Sequence, residues 1–137
     1  MPMADLRRGS LEERRPLSPH LQIYRPMLTM MMSIAHRITG GALYAGTLLL
    51  AWYLIAASSS AQAFETAAWF MNSFPGRLIL FGFTWALLHH LLGGIRHMIW
   101  DSGHGFTHPM REWLAQGTLI GGIILTLAIW IAAYLLH

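Results

Sequence analysis

The chain has 137 residues, 55% of them hydrophobic and only 11% charged, with no cysteine and a formal net charge of +3. It is too apolar for an ordinary soluble domain and too short for two domains. Without thiols it can hold no disulfide, thiolate metal site or cysteine-ligated iron–sulfur cluster, and without a basic patch on a folded soluble face it is no nucleic-acid binder.

Residues 1–15 are polar and charged. Asp5, Glu12 and Glu13 interrupt the arginines, and no apolar core follows before Leu28, so the segment does not read as a cleavable signal. Mitochondrial presequences are poor in acidic residues, so a bacterial inner membrane is the expected location. Residues 16–29 hold Pro16, Pro19 and Pro26 among Leu17, Leu21, Ile23 and Tyr24, a proline density that forbids a long helix. Residues 1–29 are therefore predicted to be a cytoplasmic or interfacial segment, with residues 30–137 forming a three-helix transmembrane domain.

Three stretches meet the requirement of about 20 mainly apolar residues for a membrane-spanning helix. The first, Ile38–Ala57, and the third, Leu114–Leu136, hold no charge. The second, Leu78–Ile95, is uncharged but carries His89 and His90. The spacing predicts spans over about 30–57, 77–100 and 114–136. Ser58–Gln62 is predicted as a small polar turn, followed by a short amphipathic piece, Phe64–Phe74, ending at Pro75-Gly76. Asp101–Pro109 is the loop before the third span and contains His104 and His108. In the third span, Gly117-x-x-x-Gly121 followed by Gly122 suits close approach of another helix, although glycine is in any case frequent in membrane helices.

All nine basic residues are arginine. Arg7, Arg8, Arg14, Arg15 and Arg25 precede the first span, Arg37 stands at its edge, and Arg96 and Arg111 bracket the second loop. Only Arg77 lies between spans one and two. The positive-inside rule then predicts a cytoplasmic N-terminus and second loop, with the C-terminus outside.

Two constellations carry chemistry. At the mouth of the first span stands Ser33-Ile34-Ala35-His36-Arg37-Ile38-Thr39-Gly40. Ser33 and Arg37 are four residues apart and His36 three from Ser33, spacings that share a helical face. Polar groups at membrane depth are costly and point to a binding site, while an arginine at a helix end alone also fits snorkelling to headgroups. In the second span, His90, Gly93, Gly94, His97 and Asp101 fall on one helical face. His90 lies thirteen residues after Arg77 and eleven before Asp101, near the expected midplane. A neutral imidazole there can ligate a metal, and b-type haem takes axial histidines; proton relay and helix packing fit the same position. Gly94 would leave room for a flat macrocycle. His97 lies roughly 10 Å nearer the inner surface, a depth a haem propionate can reach. His89 points elsewhere on the wheel and reads as structural. His36 is expected to lie too shallow to partner His90, so a second haem ligand would come from another polypeptide.

Three elements together resemble a known family, the cytochrome b membrane-anchor subunit of succinate dehydrogenase in respiratory complex II. They are Arg15-Pro16-Leu17-Ser18-Pro19-His20-Leu21-Gln22-Ile23-Tyr24, then Ser33-Ile34-x-His36-Arg37-x-Thr39-Gly40, then His90-x-x-x-Gly94-Ile95-Arg96-His97-x-x-x-Asp101. The resemblance covers residues 15–101, and the third span carries no such signature. It implies that the His90 position is the axial ligand of haem b, that a small hydrophobic partner subunit supplies the second ligand, and that the Ser33 and Arg37 positions line a ubiquinone pocket beside the iron–sulfur subunit. The His36 position, and His97 with it, would lie near the haem propionates. Succinate would be oxidised on a flavoprotein subunit, and the fold would be an all-α membrane bundle sharing its haem with the partner. A serine hydroxyl can donate to a quinone carbonyl, and an arginine can stabilise negative charge developing there. Asp101 is a candidate for proton delivery, or for pairing with Arg96. Two other classes compete: a haem-free anchor that only docks soluble subunits, and a small transporter, which the lack of repeats and broken helices disfavours.

Overall fold

A computed structural model describes residues 22–136. The part of the first family element that precedes Gln22, and His137, lie outside the described residues. Four helices follow in order: α1 (Leu28–Ser59), α2 (Ala61–Asn72), α3 (Phe74–Asp101) and α4 (Met110–Leu136). Three of them, α1, α3 and α4, are long and apolar enough to cross a membrane, as expected from the sequence.

The helix boundaries have local causes. Tyr24–Met27 lie outside any helix, and α1 begins at Leu28 just past Pro26, whose ring fits only the edge of a helix. At the other end, the predicted turn over Ser58–Gln62 contracts to one residue. Ser58 and Ser59 stay helical, donating their hydroxyls to the carbonyls of Ile55 and Ala56 at 3.0 and 3.1 Å. Ser60 alone is extended, and its Oγ accepts from the Ala63 N–H at 3.2 Å, capping α2. Ser73 repeats the device for α3, accepting from the Gly76 N–H at 3.2 Å, with Pro75 in the first turn. Pro75-Gly76 therefore opens α3 and does not close the amphipathic piece. A side chain on Gly76 would strike the Phe70 carbonyl, so the tight α2–α3 corner requires glycine there. Gly103 and Gly105 turn the chain between α3 and α4 with φ of +83° and +81°, values that L side chains rarely adopt.

Packing relies on small residues. Ala56, Ala67, Ala86 and Ala115 are buried, as are Thr39, Thr118 and Thr126. Membrane helices associate through this kind of close approach, because lipid gives apolar side chains no reason to leave it. On α4 the buried stripe is Ala115, Thr118, Gly122 and Thr126. A Cβ on Gly122 would sit 3.3 Å from the Cα of His89, whereas one on Gly117 would meet nothing within 4 Å. A Cβ on Gly121 would come within 3.0 Å of Leu92 Cδ1, so of the Gly117-x-x-x-Gly121 motif only Gly121 lies at the helix contact, beside Gly122. At the far end α2 folds back on α1, Phe70 packing edge-on against Trp52 and Phe64 against Tyr53, with ring centroids 5.8 and 5.7 Å apart.

Candidate functional site

His36, His90 and His97 converge where the first half of α1 crosses the second half of α3. His36 lies stacked on His90, ring centroids 3.9 Å apart and planes within 6°, and His97 tilts against His36 at 5.0 Å. This corrects the depth expected for His36. Counted along helices that start and end at different levels, it looked too shallow to reach His90, yet the crossing brings the two rings into contact. Two glycines make that possible. A Cβ on Gly93 would collide with the His36 ring, and one on Gly40 would come within 3.0 Å of His90 Cε1.

His90 is held by its Nδ1, which lies 3.1 Å from the His36 carbonyl oxygen and 3.3 Å from Thr39 Oγ1. A carbonyl can only accept, so the proton belongs on Nδ1 and the lone pair on Nε2. Histidine ligands of metals are commonly oriented this way, through the ring N–H opposite the ligating nitrogen. Nε2 has no hydrogen-bond partner among the described residues. One turn further on, Gly94 has nothing within 4 Å of where a Cβ would stand. The residues therefore fit an axial haem ligand with open space beside its helix. His36 does not fit as the opposite ligand, because two parallel rings 3.9 Å apart leave no room for a macrocycle between them.

His89 occupies different surroundings, as its wheel position suggested. It is 0% exposed, stacks on Trp85 at 5.1 Å and packs against Gly122 of α4. Arg96 is also inward, 1% exposed, with its guanidinium 5.1 Å from the centroid of the Trp100 ring, a cation–π arrangement. It does not pair with Asp101, which is exposed at the end of α3. Among the described residues the ion pair present is Arg111–Glu112, at 3.6 Å.

The predicted stripe of Ser33, His36 and Arg37 divides. His36 turns into the α1–α3 crossing, while Ser33 is half-buried and Arg37 exposed, neither bonded to another side chain among the described residues. The sequence reading gave no role to Thr39, Gly40 or Gly93 in holding the histidines. The one available signal was small residues within four positions of His36 and His90, which acquires meaning only once the helix crossing is known.

These features define a multi-pass helical membrane protein with a histidine cluster packed between two spans. Residues 12–132 match the succinate dehydrogenase/fumarate reductase transmembrane subunit family, and the chain belongs to it. It is 46% identical over 123 residues to the succinate dehydrogenase cytochrome b556 subunit of Paracoccus denitrificans, covering 90% of this chain and 92% of that one. The Rickettsia conorii subunit of the same name is 32% identical over 86% of this chain and 92% of its own. The mitochondrial cytochrome b560 subunit of Sus scrofa is 39% identical over 88% of this chain and 69% of its own. With three apolar spans and bacterial relatives of this kind, the protein belongs to the bacterial inner membrane.

Proposed function

We propose that this chain is the membrane-anchor and electron-transfer subunit of a succinate:quinone oxidoreductase, supplying one axial ligand to a b-type haem and part of a quinone-reduction site. The observation that carries the haem assignment is the fixed imidazole of His90. Its Nδ1–H is committed to the His36 carbonyl at 3.1 Å, its Nε2 has no partner among the described residues, and Gly94 leaves the neighbouring space open. When bound, the haem supplies a one-electron redox centre inside the membrane. A small hydrophobic partner subunit provides the opposite ligand, since His36 lies flat against His90. His36 and His97 stand beside the ligand, where imidazole N–H groups can hold propionates.

Ser33 and Arg37 line the quinone pocket from the α1 side. The Ser33 hydroxyl donates to a quinone carbonyl, and the Arg37 guanidinium stabilises the negative charge that develops on it in a low-dielectric site. Asp101, exposed at the end of α3, delivers protons through water. The arginine distribution puts this end of the bundle on the cytoplasmic side, where iron–sulfur and flavoprotein subunits dock and succinate oxidation occurs. A reduced-minus-oxidised optical spectrum of the purified complex tests the reading. A low-spin b-type spectrum is expected; an assembled, active complex without one would leave the chain a haem-free anchor.

A further inference from the structure

Thr39 is 1% exposed, deep in the α1–α3 crossing. Its hydroxyl lies 2.9 Å from the Ala35 carbonyl and 3.0 Å from the His36 carbonyl, and also 3.3 Å from His90 Nδ1. The other buried threonines do less. Thr118 and Thr126 each donate back to the carbonyl four residues earlier, at 2.8 and 2.6 Å, with no second side chain involved. That local bond is common for a membrane-helix threonine.

The proton count at Thr39 has one solution. The hydroxyl carries a single hydrogen, and two backbone carbonyls already compete for it. If that hydrogen went instead to His90, Nδ1 would need a lone pair, which would then face the His36 carbonyl oxygen at 3.1 Å, acceptor against acceptor. The consistent arrangement has Thr39 donating to its own helix, while its oxygen lone pair and the His36 carbonyl share the His90 Nδ1–H. We propose that Thr39 is a positioning residue for the haem ligand: with the His36 carbonyl it fixes the tautomer and ring angle of His90 and enriches the imidazole as a donor through Nε2. Gly40 belongs to the same device, since a Cβ there would press on His90 Cε1 at 3.0 Å and tilt the ring. The proposal rests on His90 being the axial ligand.

Hydrogen bonding at the far nitrogen of a ligating histidine raises its basicity and favours the more positive metal state. Loss of the Thr39 acceptor should therefore raise the haem midpoint potential and loosen the ring angle. The test compares Thr39→Val, isosteric without the hydroxyl, and Thr39→Ser, which keeps it, in the intact complex, using potentiometric titration and electron paramagnetic resonance of the ferric haem. The expected result is a higher potential and shifted g-values in Thr39→Val, with Thr39→Ser close to wild type. Should Thr39→Val lose the haem outright, retention in Thr39→Ser supports the hydroxyl's role. Unchanged potential and g-values in Thr39→Val, or equal changes in both variants, would overturn the proposal. His90→Ala run alongside keeps the two ideas apart: a normal low-spin spectrum in that variant defeats the ligand assignment itself, and the Thr39 role with it.

Discussion

Ser33 and Arg37 stand four residues apart on α1, one half-buried and one exposed, and in the proposed quinone site each would play a different part. Removing the hydroxyl in Ser33→Ala takes away a hydrogen bond with a net worth of about 0.5–1.5 kcal/mol. Arg37→Leu removes a fixed positive charge where, in the proposed site, negative charge would develop, so it should cost more. Both variants are expected to assemble and to oxidise succinate with a soluble electron acceptor, because that chemistry lies in other subunits. Quinone reduction should fall, further for Arg37→Leu than for Ser33→Ala. Undiminished quinone reductase activity in an assembled Arg37→Leu complex would favour an arginine that merely snorkels to lipid headgroups.

At the scale of helices, the α3–α4 contact depends on Gly122, where a Cβ would face the backbone of His89 at 3.3 Å. Backbone cannot rotate aside, so Gly122→Leu should destabilise the bundle by roughly 1–3 kcal/mol, the usual range for overpacking. Gly117→Leu, with nothing within 4 Å, should be tolerated. Thermal unfolding of the detergent-solubilised complex separates the two, and equal loss in both would contradict the assigned stripe. The spans were legible because about 20 apolar residues in a row have few other fates, and the separation of His89 from His90 followed from the 100° step between neighbours on a helix. Which helix each face meets was not legible. Wheel spacing says which residues travel together, but not the crossing point or tilt that sets His36 on His90, nor that Gly122 and not Gly117 receives a neighbour. Ser58 and Ser59 misled for a related reason: small polar residues favour turns in water, but in a membrane helix they donate to the previous turn and let it continue.

For the whole molecule, long apolar side chains such as Leu48, Leu54, Ile124 and Ile131 remain exposed along the spans, an apolar surface suited to the membrane interior. From the arginine asymmetry we propose that the histidine cluster faces the cytoplasm. Reporter fusions after Ser60 and after His104 should then report opposite compartments, the first outside and the second inside. The same compartment for both would remove one span and the shared level of His36 and His90 with it. We propose that one imidazole of this chain, His90 and not its neighbour His89, carries the haem, which the reduced-minus-oxidised spectrum of the purified complex tests directly in His90→Ala and His89→Ala. His90→Ala is expected to lose or strongly perturb the low-spin b-type spectrum. His89→Ala should keep the spectrum while losing stability, because the ring it removes stacks on Trp85. A spectrum lost in His89→Ala and intact in His90→Ala would contradict this proposal.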